Sequence, residues 1–446
     1  MQIAWSKPLF AWEALEDSPS LATIRELLAA IPDAPLLEAL RQYRGRGRND
    51  YPVETLWGVC VLSVALRHLT VEACLAELHR NAGLRPLIGI ASESGVPKKW
   101  NVSRFQALLG QEPFRTLAHK AFDAMARRLA SAVPELGRAV AGDSTTLNAR
   151  RQATASAELP APTGGRKEYL DAQGQVSRVH EWFGYKLHLA VDVKHEVALA
   201  WSITTATASD GATIPKLWEG LDEVLPAGRV QTFAYDKAAD DEKIHELLHT
   251  RHVRPLIEMR TLWKDELERA LPGSEQAPAP LYYDEAGSVY CYDMVSKTPV
   301  RHPMAYVGYE QDRACLKYRC PARQHNWNCP SERRCGQGRT WGLTVRVPQA
   351  LDLRRFPAVP RATKKFERLY NGRTAVERVN ARLKIFWGVD DGNVTGAERF
   401  WANVSVVMLV HLAFATLLAK APRRDGGLGK LRLGPVQKAL ARTIPT

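Results

Sequence analysis

Three acidic residues stand where carboxylates from separate elements can meet. Asp143 ends the apolar run "RAVAGD", Asp236 ends "VQTFAYD", and Glu377 lies in the helical stretch "YNGRTAVERVNARLK". Three such carboxylates can hold two divalent ions about 3.5 to 4 Å apart, which clamp the attacking and leaving oxygens of a phosphodiester. Oxygen ligands of this kind suit Mg²⁺ or Mn²⁺. Taken singly, an Asp at the end of a strand is more often a turn or cap residue.

Three further polar side chains accompany Glu377 in the same stretch. On a helix with about 100° per residue, Arg373, Glu377 and Lys384 fall within roughly 40° of one another, and Tyr370 lies about 20° further round. Carboxylates that face DNA need cations beside them to neutralise phosphate charge. Arg373 can bind a phosphate bidentately and Lys384 as a point charge. Tyr370 can stack on a displaced base or bond a phosphate.

The alternative for this stretch is a surface Arg–Glu pair four residues apart, worth a few tenths of a kcal/mol. Beside the polar stripe runs an apolar one, formed by Val376, Val379 and Leu383. A helix with such a stripe docks on a core. The pattern therefore favours a helix that is held against the sheet edge.

A second cluster is built from cysteine. Cys315, Cys320, Cys329 and Cys335 have the spacing C-x4-C-x8-C-x5-C, and four thiolates can close a tetrahedral zinc site. The spacing is looser than that of paired C-x2-C knuckles. Reduced free thiols, or a mixed site using His302, His325 or Cys291, remain as alternatives. Trp327, inside the same loop, is either a wedge between bases or an ordinary packing residue.

The overall charge indicates a polyanionic partner. Sixty-one Lys and Arg against 48 Asp and Glu give a formal charge of +13, which favours double-stranded DNA. Basic runs lie at "RQYRGRGR", which includes Arg46 and Arg48, at "RATKKFER" and near the C-terminus. A merely basic composition with solvated charged faces is the alternative.

No secretory signal pattern opens the chain, so a cytoplasmic protein is expected. The apolar run "WANVSVVMLVHLAFATLLA" is interrupted by polar residues and flanked by charges, and it predicts a buried core helix rather than a membrane span. Seven cysteines in a cytoplasmic chain argue against a disulfide framework.

The elements that must position these residues follow from periodicity. Residues 1–135 predict a helical N-terminal domain that binds DNA, with caps at Ser20, Thr70 and Ser103. A plain helical bundle that only scaffolds the next domain is the alternative. Residues 136–261 predict three strands with a hairpin, then helix, strand, helix and strand, which is an α/β core with a mixed sheet. A cysteine-rich insertion follows at 262–350, the core resumes with the Glu377 helix at 351–420, and a basic tail occupies 421–446.

The motifs resemble those of insertion-sequence DDE transposases that carry a Y-x2-R-x3-E-x6-K signature, because Tyr370, Arg373, Glu377 and Lys384 match its spacing. "GDSTTL", "GYKLHLAVD", "TATASDGATIP" and "AYDKAADDEK" are similar to strands and helices of the ribonuclease-H-like core of those proteins, and the N-terminal helices also resemble theirs. The resemblance covers roughly residues 45–260 and 360–418. It departs at "DKAAD", where relatives commonly read Asp-Lys-Gly-Tyr-Asp, and Asp240 then competes with Asp236 as a ligand.

The resemblance implies a fold, an activity and partners. The fold is a ribonuclease-H-like mixed sheet flanked by helices, and the metal-binding acids are Asp143, Asp236 and Glu377. The activity is Mg²⁺-dependent cleavage of transposon ends and transfer of the 3′-hydroxyls into target DNA, by a homodimer on the DNA. A nuclease that never joins ends, and a silent DNA-binding derivative, are the alternatives.

Overall fold

The computed structural model describes residues 19–46, 50–150, 156, 158–171, 175–260, 262–264, 267–336, 340–390, 394–420 and 428. Along the chain, helices come first, then a six-stranded mixed sheet, then a segment of short strands, and then helices again. The predicted mixed α/β class is confirmed. The basic tail at 421–446 lies outside the described residues, apart from residue 428.

Helices fill the first third of the described chain. They are α1 (Pro19–Ala30), α2 (Ala34–Arg44), α3 (Val53–Ala65), α4 (Val71–Arg80), α5 (Leu84–Leu87), α6 (Lys99–Leu109) and α7 (Phe114–Ala132). Apart from Glu54, the helix α3 is buried from Val53 to Val64, as its largely apolar sequence requires. The hydroxyl of Thr70 accepts a hydrogen bond from the Ala73 amide at 3.1 Å and so caps α4.

The main sheet has the strand order β2-β3-β1-β5-β6, with β4 also paired to β3. Its strands are β1 (Ala139–Asn148), β2 (Thr163–Leu170), β3 (Val176–Asp192), β4 (Ala198–Thr205), β5 (Thr232–Tyr235) and β6 (Arg254–Ile257). β1 is antiparallel to β3 and parallel to β5, and β5 is parallel to β6. The helices α8 (Asp210–Val224) and α9 (Glu242–Thr250) make the crossovers that parallel pairing needs.

Three helices close the described core: α12 (Lys364–Tyr370), α13 (Thr374–Ile385) and α14 (Ala397–Lys420). Among the described helices, α14 is the one long and apolar enough to cross a membrane, but 72% of its apolar window is buried inside the protein. It packs on α7, α6, α1 and α3 as well as on β4, and it shares one hydrophobic core with them. The prediction of a buried core helix is confirmed.

Between β6 and α12 the chain forms two small sheets, which we call the cysteine-bearing segment (residues 262–356). One has the order β10-β9-β8-β7, from β7 (Glu268–Ala270), β8 (Leu281–Asp284), β9 (Val289–Asp293) and β10 (Val300–Pro303). The other pairs β11 (Ala305–Glu310), β12 (Cys315–Arg319) and β13 (Thr344–Pro348). The short helices α10 (Pro321–His325) and α11 (Glu332–Cys335) follow β12. The segment has its own small core, separate from the main one.

Candidate active site

Asp143 lies inside β1 rather than at its end. The strand continues five residues further, to Asn148, so the prediction that this Asp ends a strand is wrong. The parallel pairing with β5, however, stops at Ala141 and Ala234. Asp143 therefore lies two residues beyond the last residue of β1 that pairs with β5.

Asp236 follows β5 directly, as the sequence predicts. The last pair of β1 and β5 is Ala141 with Ala234, which are 93 residues apart in sequence. If the same register is extended by two residues, Asp236 lies opposite Asp143. Its carboxylate accepts a hydrogen bond from the Ala238 amide at 2.9 Å and caps a short 3₁₀ turn. That turn accommodates the "KAA" that replaces the expected glycine, since Ala239 packs into the core.

Gly142 controls how closely β1 approaches β5. A Cβ atom at this position would lie 2.6 Å from the ring of Tyr235 and 3.2 Å from that of Phe233. Aromatic rings in a packed core cannot move aside without cost, so only a residue without a side chain lets the two strands meet here. Glycine beside Asp143 therefore sets the distance between the two acids.

We expect Gly142→Ala to lower the free energy of unfolding by about 1 to 3 kcal/mol, because it overpacks the interface between β1 and β5. The matched control is Gly164→Ala on β2, where an added Cβ would meet nothing within 4 Å. Thermal unfolding of the two variants checks the prediction. Equal melting temperatures would contradict it.

Glu377 sits in the first turn of α13, and Arg373 joins it to Asp143. Nη2 of Arg373 is 2.7 Å from Oε1 of Glu377, and its Nη1 is 3.7 Å from Oδ2 of Asp143. The Arg373 side chain is 23% exposed, that of Asp143 20%, and that of Glu377 49%. Arg373 thus contacts two of the three acids predicted to share a site, and it also interacts electrostatically with Asp236.

The electrostatics of Asp143 reflect a crowded carboxylate. Burial raises the pKa of Asp143 to about 6. The Ser144 amide, which donates a hydrogen bond at 2.9 Å, and the Arg373 guanidinium lower that pKa, whereas the charge of Asp236 raises it. Such a buried acid beside another acid is stabilised by a nearby cation.

The residues present suit a divalent cation by their chemistry, since all three acids offer hard oxygen donors. As the side chains stand, no three His, Cys, Asp or Glu residues within the described part of the chain are close enough to hold a metal ion. Arg373 lies between two of the acids, and the exposed Glu377 can change its rotamer. Cation binding at this site therefore requires Arg373 and Glu377 to rearrange.

The stretch from Tyr370 to Lys384 is not one continuous α-helix, contrary to prediction. α12 ends at Tyr370, a 3₁₀ turn spans Asn371–Arg373, and α13 starts at Thr374. At the joint, a Cβ on Gly372 would lie 2.8 Å from Val193, so the turn packs directly on the β3–β4 connection. The apolar stripe of α13 is nevertheless buried as predicted, with Val376, Val379 and Leu383 fully enclosed.

Tyr370 and Lys384 are each held by contacts with neighbouring elements. Tyr370 stacks on Phe366 at 5.5 Å, and burial together with a hydrogen bond to Glu258 raises its pKa to about 12. Nζ of Lys384 lies 3.4 Å from the Thr146 hydroxyl on β1 and 3.3 Å from the Asp390 carboxylate. Lys384 is thus anchored beside β1, the strand that carries Asp143, and Tyr370 beside Glu258, which follows β6.

Sequence reasoning missed the anchor of α13. Glu196, buried in the β3–β4 connection with a φ of 53°, accepts hydrogen bonds from Arg378 at 2.6 Å and from Arg382 at 2.7 Å. The two arginines are four residues apart and therefore share one face of α13. The spacing of these two arginines is the feature of the sequence that could have indicated a shared acidic partner. This double ion pair fixes the helix that carries Glu377 to the main sheet.

Asp240, the alternative metal ligand, forms hydrogen bonds with other residues instead. Both of its oxygens bind Arg354, at 2.8 and 2.6 Å, and one also accepts the Arg260 amide at 2.7 Å. Nε2 of His245 is 3.4 Å away. Asp240 therefore forms a buried ion pair that ties the main sheet to the end of the cysteine-bearing segment.

The structure describes three of four further residues that were named from the sequence. Arg46 follows α2 and is exposed, while Arg48 lies outside the described residues. Trp327 packs against His302 with ring centroids 4.9 Å apart, which agrees with the packing role. The predicted cap Ser103 is instead inside α6, where its hydroxyl and carbonyl accept hydrogen bonds from Arg399.

The predicted zinc ligands are only partly brought together. Cys320, Cys329 and Cys335 interact electrostatically with Cys291 on β9. Cys315 instead begins β12, and its thiol donates to the Arg313 carbonyl at 3.0 Å.

Residues 135–413 match the protein family described as the transposase DDE domain, a span that contains Asp143, Asp236 and Glu377. The chain belongs to this family of transposases. The match covers more than half of the sequence and includes the whole main sheet and most of α14. A search of curated proteins found no match. Transposases of the DDE family generally use divalent metal ions and act on DNA.

Proposed function

We propose that this transposase binds the ends of its own transposon, cleaves each end by hydrolysis and transfers the freed 3′-hydroxyls into target DNA. The observation that carries the proposal is the contact of Arg373 with both Asp143 and Glu377, beside the β5 terminus that presents Asp236. Family membership alone leaves these residue roles open. The contact of one cation with two of the acids, and its electrostatic interaction with the third, support assigning them.

Asp143, Asp236 and Glu377 are the residues that would hold two Mg²⁺ or Mn²⁺ ions. When bound, such a pair supplies activation of the attacking oxygen and charge neutralisation at the leaving oxygen. The chain's own part is to position: Gly142 sets the separation of the strands, and the Glu196 ion pairs fix α13. Preorganised charge of this kind lowers the barrier without a covalent protein intermediate.

Arg373 takes two roles in this proposal. In the structure its guanidinium neutralises Asp143 and Glu377, which would otherwise repel each other and any approaching phosphate. Once cations occupy the acids, the guanidinium is free to turn to a phosphate oxygen of the DNA, which it can bind bidentately. The same residue thereby stabilises the metal-free site and grips the substrate.

The other cations supply register on the DNA. In this proposal Lys384, beside Thr146, contacts a phosphate near the acids, and Tyr370, whose ring stacks on Phe366, contacts a base or a phosphate of the transposon end. Arg46, exposed after α2, and Arg48 in the same run belong to the wider DNA path through the N-terminal helices.

The order of the strands in the main sheet fits the finer assignment of the fold. Leaving β2 aside, the sheet order β4-β3-β1-β5-β6, with antiparallel strands first and parallel strands after, supports a ribonuclease-H-like core. Two transposon ends must be joined in one reaction, so we propose that a homodimer assembles on the DNA.

The proposal is tested with the full-length protein and labelled duplexes that carry the element's own ends, with Mg²⁺ added or withheld by EDTA. We expect nicking at the 3′ bond only with the metal. Pre-cleaved ends mixed with a supercoiled plasmid should give joined products, also only with the metal. Native and denaturing gels separate the two products.

The outcomes distinguish the alternatives. Metal-dependent nicking without joined products would identify a nuclease, and end binding without nicking in Mg²⁺ or Mn²⁺ would identify a silent DNA-binding protein. Joining that persists in EDTA would contradict the metal-dependent mechanism.

A further inference from the structure

Four cysteines in the cysteine-bearing segment gather at the ends of separate elements. Cys291 lies on β9, Cys320 stands immediately before α10, Cys329 lies in the connection that follows α10, and Cys335 ends α11. They come from a strand and from a loop region that is about 30 residues away in sequence. This set differs from the sequence-predicted one, which contained Cys315 in place of Cys291.

Strand geometry directs Cys291 toward Cys329 and Cys335. In a strand, residues two apart share a face, so Cys291 and Asp293 point the same way. Asp293 is buried, and its carboxylate accepts a hydrogen bond from the Ser331 hydroxyl at 2.6 Å. Ser331 lies between Cys329 and Cys335, and its carbonyl accepts the Cys335 amide at 3.0 Å. The face of β9 that bears Cys291 thus meets the loop that bears two of the other thiols.

Cys320 is held beside the same loop. The Cys320 amide donates to the Leu343 carbonyl at 2.7 Å, and α10 is joined to α11 by an ion pair of 2.5 Å between Arg323 and Glu332. Gly342, with a φ of +64°, comes so close that an added Cβ would lie 2.9 Å from the Cβ of Cys320. The contacts with Leu343 and Gly342 hold Cys320 at the start of α10, and the ion pair holds α10 beside α11.

Shared packing and charge support the grouping. Cys291, Cys320 and Cys335 each pack against the small core of the segment. Burial, together with the charges of Cys320, Cys329 and Cys335, raises the pKa of Cys291 to about 12. Burial likewise raises the pKa of Cys329, with a contribution from Cys320.

Cys315 is kept apart by the strand that it begins. β12 runs from Cys315 to Arg319, so Cys315 and Cys320 are separated by about 16 Å at roughly 3.3 Å per residue. Two ligands of one zinc ion must both place sulphur about 2.3 Å from the metal. The C-x4-C spacing would serve a metal only across a turn, and the chain forms a strand there.

We propose that Cys291, Cys320, Cys329 and Cys335 bind one structural zinc ion. The donor set matches the closed four-thiolate sites that zinc prefers. As the side chains stand, no group of three potential ligands among the described residues is drawn close enough to hold a metal, and a χ1 rotation re-aims each sulphur.

A zinc ion would also stabilise a segment whose hydrophobic core is small. Its core contains ten buried apolar residues, separate from the main core. Zinc at the four cysteines would fasten the β10-β9-β8-β7 sheet to the loop that leaves the other sheet, and its binding energy would add to folding stability.

The test compares two single substitutions in the full-length protein purified after growth with zinc. The wild-type protein and Cys315→Ser should each carry about one zinc per chain, measured by inductively coupled plasma mass spectrometry. Cys291→Ser should lose the ion to a competing chelator at a concentration lower by more than about 100-fold. Cys315 is the matched control because it is a cysteine of the same segment outside the group.

Zinc K-edge absorption of the wild type and Cys315→Ser keeps the test decisive if Cys291→Ser does not fold. Both should show four sulphur ligands at about 2.3 Å. Loss of a sulphur ligand in Cys315→Ser, or a wild-type protein that takes up no zinc, would overturn the proposal.

Discussion

Replacing Asp143 by Asn should lower the rate of transposon-end cleavage by at least about three orders of magnitude, because loss of a metal ligand removes several kcal/mol of transition-state stabilisation. Asp236→Asn and Glu377→Gln should do the same. Binding of the uncleaved end should change little, since the contacts to phosphate come from Arg373, Lys384 and other cations. Rates from single-turnover cleavage and affinities from gel shifts measure the two effects separately.

The same substitution should stabilise the metal-free protein. Burial raises the pKa of Asp143 to about 6, above its value in the unfolded chain, so the ionised acid opposes folding at neutral pH. The penalty is absent below the unfolded pKa, near pH 4, and grows as the pH rises toward 6. Asn carries no charge, so Asp143→Asn should raise the free energy of unfolding at pH 7 by on the order of 1 to 3 kcal/mol in EDTA.

This second readout separates a metal ligand from a structural acid. A structural Asp whose hydrogen bonds hold the fold would lower the stability when it is replaced. The matched control for charge is Glu367→Gln on the exposed face of α12, which should alter neither cleavage nor stability. Full cleavage by Asp143→Asn, or a clear loss of its stability in EDTA, would contradict the assignment.

Asp240→Asn should be the most destabilising of the acid substitutions in the core, by about 3 to 5 kcal/mol, because it leaves the Arg354 guanidinium with an amide where it now has a carboxylate. Burial alone would raise the pKa of Asp240, but hydrogen bonds from His245, Arg354 and the Arg260 amide hold it well below its usual range. Chemical denaturation at pH 7 measures the loss.

The sign of the pH dependence follows from the depressed pKa. The stabilisation by Asp240 is fully present above pH 4 and is lost as the pH falls through the folded-state value. The wild type should therefore lose more stability in acid than Asp240→Asn does.

A neighbouring residue provides the control for Asp240. Asp241 caps α9 by accepting the Lys243 amide at 3.0 Å, and Asn caps as well as Asp. Asp241→Asn should therefore change the stability by less than about 0.5 kcal/mol. If Asp240→Asn kept full stability but lost metal-dependent cleavage, Asp240 would be a ligand after all.

Much of the site could be predicted because it depends on local patterns. A short apolar run before Asp236 predicted a strand end, and the stripe of Val376, Val379 and Leu383 predicted the buried face of α13. Likewise, Thr70 is a cap because its hydroxyl faces a free amide three residues on. In each case the residues that decide the structure are neighbours in sequence.

The failures depend on contacts between residues far apart. β2 was not predicted, since "TGGRKEYL" has weak strand propensity and is held by pairing with β3. The break at Asn371–Arg373 depends on the packing of Gly372 against Val193. Cys291 lies near the other thiols because β9 contacts the loop at Ser331. The spacing of cysteines along the chain does not indicate this contact.

The central claim is that Asp143, Asp236 and Glu377 share a pair of divalent cations when DNA is bound. Anomalous diffraction from crystals of the protein with a transposon end and Mn²⁺ tests it most directly. We predict two manganese peaks about 3.5 to 4 Å apart beside Asp143, Asp236 and Glu377, with Arg373 turned to a phosphate. Manganese peaks elsewhere on the DNA, with Arg373 still between Asp143 and Glu377, would contradict the claim.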